Sequence, residues 1–168
     1  ESVHGLVSIE FADATIWTKS DIEYQATQIK GTAGDDALAG FGNLNETITG
    51  GDGDDKLYAY GGHDTLNPGH GNDFVSGYSG SATYVYSRGD GEDTLDGSML
   101  DGVDIVLGAG IDPTHTILKR LAGDTGYVLE FADTNGNETG DRIVIRSGTE
   151  PTVHFADSTV WEFADIVT

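Results

Sequence analysis

Asp36, Asp55, Asp73 and Asp93 recur at intervals of 18 to 20 residues, and each follows a glycine-rich stretch. Carboxylates at such regular spacing can do acid–base chemistry or hold cations. Charge favours the second. The 168 residues carry 29 Asp+Glu against 8 Lys+Arg, a formal net charge of -21. Such a chain is poorly suited to nucleic acid, whose phosphates need Lys and Arg, or to an anionic membrane surface. It holds no Cys, so disulfides, thiolate zinc sites and cysteine nucleophiles are excluded. No apolar run approaches the ~20 residues of a membrane-spanning helix. Acidity of this size belongs either to a solvating disordered tail or to a chain whose counter-ions are bound cations. The positions of the 25 glycines decide between them.

From Gly31 to Asp96 the sequence reads in nines, as G-G-x-G-x-D-x-U-x, with U a large apolar residue. Gly50 to Tyr58 fits at every defined position, and Gly31 to Ala39 fits with one substitution. Pro68 to Ser76 and Arg88 to Asp96 each depart only at the first residue. Weaker copies lie between them. Gly40 to Thr49 carries Glu46 in the Asp slot, Ala59 to Asn67 keeps Asp64, and Gly77 to Val85 has Ala82 there. The U slot holds Leu38, Ile48, Leu57, Leu66, Val75, Tyr84 and Leu95. Random acidity would not register with glycine and apolar residues at period nine, so a disordered tail is disfavoured.

These nonapeptides resemble the haemolysin-type, or RTX, calcium-binding repeat. The resemblance implies an all-β protein built on a parallel β-roll. Each nonapeptide supplies a turn and a short strand, two make one coil, and successive turns alternate between the sides of the roll. The glycines would be Gly31, Gly34, Gly51, Gly53, Gly69, Gly71, Gly89 and Gly91. They allow positive φ and aim carbonyl oxygens inward. Ca²⁺ wants 6–8 oxygens, which carbonyls and carboxylates supply. Metals of such a roll lie between repeats n and n+2. The well-formed repeats carry Asp36, Asp55, Asp73 and Asp93 on one side, so their three gaps imply about three Ca²⁺. The other side, with Glu46, Asp64 and Ala82, implies at most one weak site, between Glu46 and Asp64.

Three segments follow: an N-terminal hairpin over 1–29 that reads as the tail of a preceding unit, the roll over 30–97, and a small antiparallel β flanking domain over 98–168 that caps it. Phe11 to Glu23 matches Phe155 to Val167 at seven of thirteen positions, both Trp included, 144 residues apart. Phe-Ala-Asp-x-Thr-x-Trp predicts a hairpin with its turn at Asp13-Ala14 and Asp157-Ser158, anchored by Trp17 and Trp161, with a helical turn at the following Asp-Ile. The duplication suggests a tandem array. Within the last segment, residues 103–107, 116–121, 127–131 and 142–146 read as strands. It resembles the haemolysin-type calcium-binding-protein-related domain that follows such rolls. Asp133 to Asp141 lacks the sixth-position glycine of an EF-hand loop and reads as an Asn-Gly hairpin.

No HExxH or paired-His arrangement occurs, and Gly77-Tyr-Ser-Gly-Ser81 is not a nucleophile elbow. A non-catalytic module is therefore expected. The resemblance implies a secreted bacterial protein, extracellular or at the cell surface, exported by type I secretion machinery and folding on Ca²⁺. The chain starts at Glu1 without Met and reads as a fragment; its Asp-Ile-Val-Thr end suits either a secretion signal or a repeat edge. Two alternatives stand. One is a carbohydrate-binding or adhesin module with a glycan or surface ligand at Lys119, Arg120, Arg142 and Arg146. The other is the C-terminal accessory part of a secreted enzyme such as a protease, lipase or epimerase.

Overall fold

A computed structural model describes residues 8–77, 79–96, 102–121, 125–146 and 151–162. Two seven-stranded sheets face each other and form a parallel β-roll. The first sheet stacks β4 (Ala37–Ala39), β6 (Lys56–Ala59), β8 (Phe74–Gly77), β10 (Glu92–Asp96) and β14 (Glu138–Arg146) in parallel. It then closes with β13 (Tyr127–Ala132) and β12 (Thr116–Arg120), both antiparallel to their neighbours. The opposite sheet stacks β3 (Gln28–Lys30), β5 (Thr47–Asp52), β7 (His63–His70), β9 (Ser81–Tyr86), β11 (Gly102–Leu107) and β15 (Thr152–His154) in parallel. It closes with β16 (Val160–Glu162) running antiparallel.

The U residues set this register. Leu38, Leu57, Val75 and Leu95 lie opposite one another on successive strands of the first sheet. Ile48, Leu66 and Tyr84 do so on the second. Between the sheets Ile48, Leu57, Leu66, Val75 and Tyr84 are all fully buried. Burying one such side chain contributes roughly 1.5–3 kcal/mol. With a core only one side chain deep from each sheet, those two rows hold the roll together.

The stacking runs on where the nonapeptide pattern ends. Ile29 stands under Ile48 at one end, and Ile105 and Val153 continue the Tyr84 row at the other. Ile145 continues the Leu95 row. The expected strands of the flanking segment all form, but β11, β14 and β15 extend the roll's own sheets in parallel. The antiparallel part of the cap is confined to β12, β13 and β16. A period-two apolar pattern is enough to add a strand to an existing sheet, so nine-residue spacing is not needed there.

Strand length varies along the roll, from three residues in β4 to eight in β7. β5 and β7 run into the glycine turn itself, with Gly51 opposite Gly69 and Asp52 opposite His70. Gly69 shows why the turns need glycine. Its φ is 100°, and a Cβ there would strike the Gly51 carbonyl of the turn below.

Both copies of the Trp motif are hairpins, β1 (Ser8–Glu10) with β2 (Ile16–Thr18) and β15 with β16. Their turns repeat bond for bond. Phe11 and Phe155 donate to Thr15 and Thr159 carbonyls at 2.8 and 2.9 Å. Asp13 and Asp157 each accept from the N–H two residues on, at 3.0 and 2.8 Å. Ala14 and Ser158 sit at φ 66° and 74°. Trp161 packs on the core with Phe155, whereas the Phe11–Trp17 pair lies on a separate two-stranded sheet. The first Asp-Ile lies inside a helix, α1 (Lys19–Ala26), whose N-cap Thr18 and Asp21 form a capping box. The second, with the Asp-Ile-Val-Thr end, lies outside the described residues. The 133–141 segment is a hairpin whose Asp133 carboxylate accepts from the Asn135 and Asn137 N–H groups at 2.8 and 2.9 Å.

Candidate metal centre

The turns carrying Asp36, Asp55, Asp73 and Asp93 stack along one edge of the roll and are joined by a ladder of carboxylates. Oδ1 of Asp55 accepts from the Asp36 N–H at 2.8 Å, Oδ1 of Asp73 from the Asp55 N–H at 2.7 Å, and Oδ1 of Asp93 from the Asp73 N–H at 2.9 Å. In return the Asp36, Asp55 and Asp73 carbonyls accept from Lys56, Phe74 and Thr94, at 2.7–2.8 Å. Asp55, Asp73 and Asp93 therefore each join two turns, with one carboxylate oxygen spent on the turn before. Asp55, Asp73 and Asp93 are buried, at 1%, 2% and 0% exposure.

One carboxylate oxygen per residue remains. Oδ2 of Asp55 and of Asp73 is buried with no hydrogen-bond partner. A buried charge without a partner is costly, and a cation is the ordinary remedy. Oδ2 of Asp55 and the Pro68 carbonyl both lie in the space that a Cβ on Gly50 would fill. The same relation places Oδ2 of Asp36 and the Gly50 carbonyl over Gly31. Carboxylate and carbonyl oxygens thus converge turn by turn, a donor set suited to Ca²⁺. Among the described residues no three acidic or imidazole side chains meet at one point, so most ligands of any ion would be backbone oxygens.

The two ends of the ladder differ from its middle. Oδ2 of Asp36 accepts from the Thr32 N–H at 2.6 Å and the Thr32 hydroxyl at 2.8 Å. Oδ2 of Asp93 accepts from the Tyr84 hydroxyl. Gly51, Gly53, Gly69, Gly71, Gly89 and Gly91 all take positive φ, while Gly31 and Gly34 of the first turn do not. Gly34 has open space around it.

On the other edge the structure brings Glu46 and Asp64 together in the same way. Oδ1 of Asp64 accepts from the Glu46 N–H at 2.9 Å. Oε1 of Glu46 takes the Phe41 N–H at 3.1 Å, and Oε2 is buried without a partner. Ala82 stands opposite Asp64 and contributes only a buried methyl.

A second, outer ladder went unread in the sequence. Asp35 accepts from the Asp54 N–H, Asp54 from Asn72 and Asn72 from Glu92, at 2.8–3.1 Å; Asn45 does the same for His63 on the other edge. It runs opposite to the inner one, each side chain serving the turn after it. The signal was there, because the slot before each ladder aspartate holds Asp35, Asp54, Asn72 and Glu92.

Burial governs the titration of the inner ladder. It pushes Asp73 up to about 6 and Asp93 up to about 7, against the opposing pull of their backbone hydrogen bonds and, for Asp93, of Tyr84. Burial also raises Asp55, Asp90 and Glu46.

Residues 42–75 match the RTX calcium-binding nonapeptide repeat, in four copies. The fold is similar to the solution structure of the AlgE6R2 subunit from the Azotobacter vinelandii mannuronan C5-epimerase. The identity is 27% and the TM-score 0.54, over 76% of this chain and 89% of that one. No curated protein matches the sequence.

Two outcomes follow from this geometry. Asp55→Ala removes both the partner of the Asp36 N–H and an inward oxygen. By the ~1–3 kcal/mol cost of an unpaired buried group it should weaken calcium binding by about tenfold. Asp36→Ala, whose free oxygen already has Thr32, should weaken it less; calorimetric titration of the two variants decides. The second concerns pH. A carboxylate whose pKa is raised in the folded state favours folding below its unfolded pKa, and that contribution is lost as pH rises through the folded value. Calcium-stripped protein should therefore show more strand signal at pH 5 than at pH 8, with the loss centred between the usual carboxylate range and about 7. An equal signal at both would contradict the burial of charge described above.

Proposed function

Because this chain carries RTX calcium-binding nonapeptide repeats, we propose that it is a calcium-dependent, non-catalytic β-roll module of a secreted bacterial protein, folding on Ca²⁺ after type I secretion. The observation that carries this is the pair of buried, unpartnered oxygens, Oδ2 of Asp55 and of Asp73. On this reading about three ions lie in the gaps between the turns of Asp36, Asp55, Asp73 and Asp93, and at most one weaker ion lies between Glu46 and Asp64. Parallel strands stack at ~4.8 Å, and two carboxylates at that spacing repel by about 1–3 kcal/mol. Several such contacts rival the ~5–15 kcal/mol stability of a small domain. Calcium reverses their sign, and in its absence the roll does not close.

A second reading is supported by the outer face of the first sheet, which contains β6, β12 and β14. Lys56, Lys119, Arg142 and Arg146 alternate with the buried U-row residues and so share that face, while Arg120 falls on the opposite side of its strand. Tyr58 and Phe74 pair their rings there at 6.3 Å. Glu130 and Glu92 hold Lys119 and Arg142 in ion pairs. A row of cations and rings crossing parallel strands suits an extended anionic polysaccharide, and the similar AlgE6R2 subunit comes from an enzyme of mannuronan. The module would then serve a larger enzyme or adhesin as its substrate-holding part.

Circular dichroism tests the first reading. Strand signal should collapse in EGTA and return with millimolar calcium; a signal indifferent to both would overturn it. For the second, binding to a polyuronate in calcium should fall severalfold in Lys56→Ala/Arg146→Ala, with the strand signal unchanged.

A further inference from the structure

The metal-side edge stops at Asp93 although the sheet continues to β14, and Arg88 stands where it stops. Arg88 takes the slot that Gly31 and Gly50 fill in earlier turns. Its guanidinium gathers oxygens from three separate segments. Nε and Nη2 donate to the Gly110 carbonyl at 3.0 and 2.9 Å, and Nη2 also donates to the Ala132 carbonyl at 3.0 Å. Nη1 lies 3.7 Å from Oδ2 of Asp141, is buried, and has no hydrogen-bond partner. The same Asp141 oxygen accepts from the Gly89 N–H at 3.1 Å, which ties it to the turn of Asp93. Asp141 and Asp90 are both buried. Two carbonyls and a carboxylate around one positive charge are the donor types that the earlier gaps offer to an ion.

We infer that Arg88 is a protein-supplied cation occupying the gap after Asp93, and that it ends the calcium array there. Tyr84 completes the closure by donating to the one ladder oxygen that no further turn could use. Arginine suits the role because its charge is permanent and its planar fork reaches several carbonyls at once. The array is bounded by a fixed charge rather than by the end of the sheet, and Arg88 conceals a latent calcium site made of Gly110, Ala132 and Asp141 oxygens.

The inference rests on the calcium reading of the edge, and the test separates the two. Bound ions are counted by native mass spectrometry at saturating calcium, and folding is followed by circular dichroism along a calcium titration. Arg88→Gly restores the residue that the repeat has in that slot. It should carry one more calcium than the unaltered protein and fold with a steeper calcium dependence. Arg88→Gly/Asp141→Asn should lose that extra ion, and Arg88→Lys, which keeps the charge, should keep the original count. A folded Arg88→Gly with an unchanged count overturns the inference. So does a folded Arg88→Lys that gains an ion, since the positive charge would then not be what fills the gap. An unaltered protein that binds no calcium fails the earlier reading instead.

Discussion

The roll depends on one arrangement, a buried carboxylate on each turn hydrogen-bonded to the backbone of the turn before. The bonds fix the spacing of the turns, because Oδ1 of Asp73 can reach the Asp55 N–H only if the two strands are in register. They also place buried carboxylates a strand's width apart. Cohesion and repulsion therefore come from the same side chains. The backbone hydrogen bonds offset only part of the cost of burying these charges, and the glycine turns bring carbonyl oxygens to the same place, so that a cation there would meet both kinds of oxygen.

What the sequence made legible was whatever repeats. Period nine in Gly, Asp and U carried the resemblance that implied the parallel roll and the alternation of edges, and the U slots marked the two core rows, because a repeat translates directly into neighbours in space. The Trp motif gave two hairpins down to the turn residues, since Asp13 and Asp157 act locally through their own backbone. What stayed hidden was whatever is not periodic. The continuation of both sheets through Ile105, Ile145 and Val153 depends on strands separated by long connections, and ordinary alternating patterns do not announce which sheet they join. The convergence on Arg88 needs Gly110, Ala132 and Asp141, which lie 22 to 53 residues further along the chain.

Departures from the repeat carry information of their own. Thr32 replaces the second glycine of the first turn, and its hydroxyl occupies the carboxylate oxygen that Asp55 and Asp73 leave open. Tyr84 is the one aromatic in the U slots of the repeat array, and its hydroxyl reaches the last aspartate. Both substitutions place a proton donor on the Oδ2 that the middle turns leave without a partner. They mark the boundaries of the array more sharply than the fading of the glycine pattern does.

The inner ladder also has a direction. Every carboxylate in it looks back, so the N–H of Asp36 is answered only by Asp55, and that of Asp55 only by Asp73. A turn is therefore completed by chain that comes 18 to 20 residues later. Damage travels the same way: a fault in a late turn strips a partner from the one ahead of it, while a fault in the first turn strips none. The outer ladder runs oppositely, from Asp35 towards Glu92. Because it is exposed to water, it answers that one-way dependence only weakly, and the edge keeps a sense of before and after that its repeating sequence conceals.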